Sequence, residues 1–149
     1  MLDSDKDFKR LGETYVLFIQ IGNAETVGVG RLGVIDLLPG SYIYIGSAKG
    51  CLEKRMNRHL RKDKKLFWHI DYILNQNVSS EIKEIWTHDN SNECWLTHQL
   101  ERFCWAHPVK KGFGSSDCHC WTHFFSIDKI YHIQKRLSAL NFSLYWLHA

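Results

Sequence analysis

A short strand that ends in glycine constrains the fold of this chain more than any other feature of its sequence. Residues 40–46 read GSYIYIG, in which β-branched and aromatic residues follow a Pro-Gly turn. This composition predicts a buried strand. Because side chains alternate along a strand, Tyr42, Tyr44 and Gly46 are expected on one face. The sequence therefore predicts two phenol side chains that point to the same side of a sheet.

A basic helix is predicted directly after this strand, over residues 52–61. Arg55 and His59 are four positions apart and therefore lie side by side on the helix. Residues 53–65 hold seven Lys/Arg and two acids, a net charge of +5, whereas the whole chain carries +3. The excess positive charge is thus concentrated beside the two tyrosines, as expected for a surface that contacts a phosphate backbone. The alternative is a solvated helix face. The residues predicted to contact nucleic acid, besides Arg55, are Tyr42, Arg58, Arg61 and Lys62.

The sequence Tyr44-Ile45-Gly46, followed at this distance by an arginine and a histidine, resembles the second half of the signature of the GIY-YIG nuclease superfamily. Further runs are similar to one bacterial and archaeal branch of it: LFWHIDY at 66–72, NEC at 92–94, FGSSDCHC at 113–120 and THF at 122–124. The resemblance covers residues 14–125. It implies a mixed α/β (α+β) fold with a three-stranded antiparallel sheet flanked by helices, and metal-dependent cleavage of DNA.

The resemblance also implies the residues of the site. These are a pair of tyrosines, an arginine on the scissile phosphate, a carboxylate that holds Mg²⁺ or Mn²⁺ and a histidine that orients water or phosphate: Tyr15, Tyr44, Arg55, Glu93 and His59. A hard divalent ion with one carboxylate and several waters is usual for magnesium.

The first tyrosine departs from the superfamily pattern, because Glu13-Thr14-Tyr15 stands where Gly-Ile-Tyr is expected. Tyr42 is therefore a rival for this role. A tyrosine that acts as a base needs a lowered phenol pKa, and the basic helix would supply the necessary charge. The alternatives are a tyrosine that fills the core, a Glu93 that complements the helix dipole and a His59 in a structural hydrogen bond. Asp117 is a candidate for a late polar residue of the superfamily site.

A cysteine-rich loop gives a second chemical signal. Cys118, Cys120 and His123 lie within six residues and could bind zinc, with Cys94, His98 or His107 as a fourth ligand. The alternative is small thiols that pack a Gly-Ser loop. Five cysteines form an odd set, which argues against a disulfide framework.

The rest of the chain predicts a flexible tail over residues 1–12 and a single domain over 13–149. The predicted elements are a strand at 14–21, an extended segment or hairpin at 27–38, helices at 67–76 and 93–105, a strand at 81–88, a loop at 106–123, a helix capped by Asp128 and an aromatic tail at 142–146 that packs on the sheet. No run is long and apolar enough to span a membrane, and the N-terminus lacks the order of a secretory signal, so we expect a cytoplasmic protein.

Three functions are consistent with these patterns: a metal-dependent DNA endonuclease, a nucleic-acid-binding module that has lost catalysis, and a zinc-stabilised interaction domain. DNA is the expected partner. The sequence leaves open whether specificity comes from DNA structure, a partner protein or homodimerisation.

Overall fold

The computed structural model describes residues 12–149. The strands are β1 (Gly12–Ile21), β2 (Glu25–Gly28), β3 (Val34–Leu37), β4 (Gly40–Ser47), β5 (Ser80–Ser91), β6 (Ala106–Pro108), β7 (Phe124–Ile127) and β8 (Ser143–Leu147). The α-helices are α1 (Leu52–Leu60), α2 (Glu93–Leu100) and α3 (Ile130–Ala139). Single 3₁₀ turns lie at Gly30–Leu32 and His69–Tyr72. The predicted tail lies outside the described residues, apart from Gly12, which begins β1.

Six strands form one antiparallel sheet in the order β6-β7-β4-β1-β5-β8. The predicted mixture of helices and antiparallel strands is confirmed, but the predicted number of three strands is wrong. The three predicted strands are the central ones, β4, β1 and β5. The additional strands have only three to five residues each, and the chain places them at the two edges of the sheet.

The two faces of the sheet are both covered, and the alternation of side chains explains how. Tyr15, Leu17 and Ile19 of β1 face a core that also contains Tyr44 and residues of α1. The intervening Val16 and Phe18 face a second core, formed with α2 and α3. Tyr42 and Tyr44 share the first face while Ile43 and Ile45 share the second, as predicted from the period of two.

Residues 27–38 were predicted to form either an extended segment or a hairpin, and the structure has a hairpin there. β2 and β3 pair antiparallel and form a separate two-stranded sheet. Val27 and Ile35 are buried in the same core as Tyr15. The hairpin therefore covers part of the face on which the tyrosines lie.

The predicted helix at 67–76 is wrong, since this segment contains only the 3₁₀ turn His69–Tyr72. The carboxylate of Asp71 accepts hydrogen bonds from the backbone N–H groups of Phe67 and Trp68, at 2.9 and 2.8 Å. Aspartate side chains that bind nearby backbone groups compete with the helix. The local bonds of Asp71 thus stabilise a tight turn.

The two later helices form, but their ends differ from the prediction. Asn92 caps α2 by accepting a hydrogen bond from Trp95 N at 2.8 Å, and the helix ends at Leu100 instead of residue 105. Asp128 does not cap α3, because Lys129 at the cap position has a left-handed backbone. The aromatic tail, predicted to pack on the sheet, extends it instead as the edge strand β8, which pairs with β5. Among the described residues, no helix has the length and apolar character needed to cross a membrane.

Candidate functional site

A groove of about 430 Å³ opens where β1 and β4 lie side by side. Tyr15 and Gly46 are direct partners across these strands. A Cβ atom at position 46 would lie 2.4 Å from Cζ of Tyr15, a distance that real contacts do not reach. Glycine is therefore required here because the tyrosine ring occupies the space above it.

Four residues predicted from the sequence line this groove although they come from four different elements. They are Tyr15 of β1, Tyr44 of β4, Arg55 of α1 and Glu93 of α2. The convergence that the predicted site requires is therefore present. Glu93 is 38 positions beyond Arg55, and both line the groove because α2 packs against β4.

His59 lies behind Tyr15, on the buried side of the groove. Its Nε2 is 2.8 Å from the Tyr15 hydroxyl oxygen. Burial lowers the pKa of His59 to about 3, so the ring is neutral at physiological pH. Its Nδ1 is buried and has no hydrogen-bond partner among residues 12–149. We assign the proton to Nε2, because an orphaned N–H group is rarer than an unpaired acceptor.

This tautomer has a consequence for the neighbouring tyrosine. With Nε2–H as donor, the Tyr15 oxygen accepts a hydrogen bond and its own O–H remains free to donate. The donated hydrogen bond can then be made to a ligand in the groove.

Arg55 is held at the groove from two sides. Its guanidinium donates a hydrogen bond to the backbone oxygen of Ser47 and lies 4.6 Å from the centre of the Trp68 ring. A guanidinium has five N–H donors, so this arrangement fixes its plane while other donors remain for an anion. The sequence did not predict that Trp68 would support Arg55.

Both tyrosines keep their protons. Burial, followed by the proximity of Tyr44, raises the pKa of Tyr15, and Arg55 lowers it by less. Burial and then the charge of Glu93 raise the pKa of Tyr44, again against a smaller effect of Arg55. The expectation that the basic helix would lower the phenol pKa values is therefore wrong, because desolvation outweighs the effect of the Arg55 guanidinium.

The opposite wall of the groove is a loop. Gly114, Ser116 and Asp117 line it, and a Cβ atom at Gly114 would lie 2.9 Å from the Tyr44 ring. The loop is fixed by a hydrogen bond from Gly114 N to His69 Nδ1 at 2.8 Å. Asp117, a candidate from the sequence, thus provides a second carboxylate in the groove.

Three of the residues predicted to bind nucleic acid have protein partners instead. The hydroxyl of Tyr42 donates to the backbone oxygen of Leu38 at 2.9 Å, and Tyr42 does not line the groove. Arg58 forms an ion pair of 2.6 Å with buried Asp71.

Lys62 donates hydrogen bonds to the backbone and hydroxyl oxygens of Ser80, at 2.7 and 3.1 Å. Only Arg61 of this predicted set has an exposed side chain. The residues that line the groove without having been predicted include exposed Lys49 and Phe67, of which Phe67 is 75% exposed. The signal that could have identified Lys49 is its position three residues after the end of the predicted strand.

A second cluster lies beside the groove. The ligand atoms of Cys94, Cys118, Cys120 and His123 are all within 4.8 Å of one another, so these residues could together bind a metal ion. Hydrogen bonds from the neighbouring thiols lower the pKa of Cys118, while the corresponding bond with Cys118 raises that of Cys120.

The two other predicted candidates for the fourth ligand lie elsewhere. His98 pairs with Glu101 at 2.9 Å and His107 with Asp128 at 2.8 Å. Of the three alternatives, the structure thus selects Cys94.

The family described as "domain of unknown function DUF123" matches residues 14–144. The chain belongs to this family. The DUF123 match contains all the groove residues and all four residues of the cysteine cluster. Comparisons with curated proteins and with solved structures gave no match.

Proposed function

We propose that this chain is a divalent-metal-dependent nuclease that hydrolyses phosphodiester bonds of DNA. The observation that supports the proposal is the convergence of Tyr15, Tyr44, Arg55 and Glu93 on one open groove. These residues combine donors for a phosphate with a carboxylate for a cation, which metal-dependent hydrolysis of a phosphodiester uses together. The resemblance of the sequence to GIY-YIG nucleases points to the same reaction.

The groove suits a hard divalent ion such as Mg²⁺ or Mn²⁺. It contains two carboxylates, Glu93 and Asp117, and its open side leaves room for water. Glu93 would hold the ion, and Asp117 would bind it directly or through water. A bound ion would supply charge stabilisation on the phosphate and a lower pKa for the attacking water.

Arg55 binds the phosphate in this proposal. The contacts with Ser47 and Trp68 orient its guanidinium before substrate arrives, so that little conformational entropy is lost on binding. Two parallel N–H donors match two phosphate oxygens, a geometry that lysine cannot reproduce.

The tyrosines act as hydrogen-bond donors instead of bases, because burial keeps both phenols protonated. The hydroxyl of Tyr15 is free to donate when His59 Nε2–H donates to it. Donors fixed in advance toward developing negative charge stabilise a transition state more than mobile ones. Either phenol can also give its proton to the leaving oxygen.

The DNA strand would pass over the exposed rim of the groove. Lys49 offers a charge for the phosphate backbone, and Phe67 offers an exposed ring on which a base can stack. Both contacts are independent of sequence. We therefore propose selectivity for DNA structure or single-stranded character over base sequence.

The test is cleavage of plasmid, single-stranded and branched DNA with Mg²⁺ or Mn²⁺. In Glu93→Gln and Arg55→Lys we expect the rate to fall by about 100-fold or more. Matched controls are Glu53→Gln and Arg102→Lys, which change exposed residues that do not line the groove and should retain the wild-type rate. Wild-type cleavage that persists unchanged in Glu93→Gln would refute the proposal.

A binding module without catalysis is the second candidate, favoured by the raised phenol pKa values. It predicts no cleavage by the wild-type protein, together with DNA affinity that falls steeply with salt. Fluorescence anisotropy on the same DNA substrates separates the two functions.

A further inference from the structure

The cysteine cluster has the composition and spacing of a closed metal site. The Sγ of Cys118 and the Nε2 of His123 lie 3.3 Å apart. In a tetrahedral zinc site with bonds of about 2.3 Å to sulfur and about 2.0–2.1 Å to nitrogen, this separation is about 3.6 Å. The observed distance differs from this value by only a few tenths of an ångström.

The histidine of the cluster is oriented by a buried partner. Its Nδ1 lies 2.7 Å from Oγ1 of Thr97, and both residues are at most 1% exposed. This contact occupies Nδ1 and directs Nε2 toward the thiols. Histidines that bind metals commonly have their second nitrogen fixed in this way.

We propose that Cys94, Cys118, Cys120 and His123 bind one structural zinc ion. Three thiols lose their protons on binding, and the resulting thiolates with one neutral imidazole complete four-coordinate zinc. Soft sulfur ligands favour zinc over the hard ions suggested for the groove. The site is closed because all four positions are protein ligands, so its role is to stabilise the fold.

The positions of the ligands define what the zinc ion holds together. Cys94 follows Glu93 in the first turn of α2, and Cys118 follows Asp117 in the loop that forms the opposite groove wall. One ion thus joins the two segments that carry the carboxylates of the groove. The zinc site therefore fixes the separation of these two segments. An effect of zinc on cleavage would rest on the proposed function, whereas zinc binding itself does not.

The first test measures zinc and thiols in the wild-type chain, without DNA. After expression with zinc and dialysis, we expect one zinc ion per chain by mass spectrometry. With a thiol reagent, the two exposed cysteines, Cys51 and Cys104, should react rapidly and the other three slowly. A strong chelator should release the zinc and make all five cysteines reactive.

Variants then assign the ligands. Cys118→Ser and Cys120→Ser should each lower zinc affinity by at least about 10-fold. Cys104→Ser, a matched change of an exposed cysteine outside the cluster, should retain one ion per chain. Cobalt substitution of the wild-type protein should give the visible absorption of a tetrahedral thiolate complex, a result that does not depend on whether a variant folds.

Three results would overturn the zinc site. In the first, the purified wild-type chain contains no stoichiometric zinc. In the second, a chelator does not change the slow reaction of the three cluster thiols. In the third, the purified chain lacks zinc and has fewer than five free thiols because a disulfide has formed. The first two would show that the thiols are only packed. A zinc-bound chain without nuclease activity would refute the proposed function alone.

Discussion

Replacing Gly46 by alanine tests the packing on which the groove depends. The added methyl group would lie 2.4 Å from Cζ and 2.5 Å from the hydroxyl oxygen of Tyr15. Carbon contacts are relaxed at about 3.5–4.0 Å, so the ring would have to retreat by roughly 1 Å. The ring is only 2% exposed and cannot retreat without displacing its neighbours, among them His59.

The expected cost follows from these contacts. Overpacking of a buried site costs about 1–3 kcal/mol. Loss of the buried hydrogen bond between Tyr15 and His59 adds about 1–3 kcal/mol. We therefore expect Gly46→Ala to lower the free energy of unfolding by roughly 2–6 kcal/mol, a large share of the about 5–15 kcal/mol typical of a domain.

Urea denaturation followed by tryptophan fluorescence measures this change, and two further variants identify its cause. Gly28→Ala adds a methyl group that has no atom of the described part of the chain within 4 Å, so its effect should stay within about 0.5 kcal/mol. In a Tyr15→Ala background the clash is absent, and Gly46→Ala should cost at least about 1.5 kcal/mol less than in the wild type. Equal costs in both backgrounds would refute the reasoning.

Three other predictions concern buried polar groups. Asp71→Ala removes the partner of Arg58 and should destabilise the protein by about 3–5 kcal/mol in urea denaturation, whereas Asp63→Ala, at an exposed position, should change little. The lowered pKa of His59 means that the unfolded chain binds its proton more readily, so stability should fall as pH decreases from about 6.5 toward 3, by at most about 1.4 kcal/mol per pH unit. In His59→Gln this part of the pH dependence should disappear, and an unchanged profile would contradict the assignment. Tyr42→Phe should cost about 1 kcal/mol of stability without changing DNA affinity, and a weakened affinity would restore its predicted contact with nucleic acid.

Local pattern was sufficient for the central elements of the fold. The β-branched and aromatic residues of β4 predicted this strand, and β1 and α1 were also predicted close to their observed bounds. β7 was missed because it has only four residues after a loop, and it forms by pairing with β4 on one side and β6 on the other. Such pairing partners are distant in sequence and leave no periodic signal.

In the candidate site too, contacts between residues close in sequence were predictable and contacts between distant residues were not. Residue types and spacing identified Tyr44 and Arg55, which are close in sequence. The run of positive charge at residues 53–65 could not show that Arg58 and Lys62 bind other side chains of the fold. Nothing in the sequence around Asp71 and Ser80 indicates that they are these partners. Likewise, the fourth member of the cysteine cluster could be chosen only from tertiary placement.

The two walls of the groove differ in their tolerance of change. Tyr15 and Tyr44 belong to the buried core, and substitutions there carry a cost in folding. Lys49, Phe67 and Asp117 on the rim are exposed, so they can be replaced with little cost in stability. We therefore expect substitutions on the rim to change the charge and shape of the groove opening while the fold is retained.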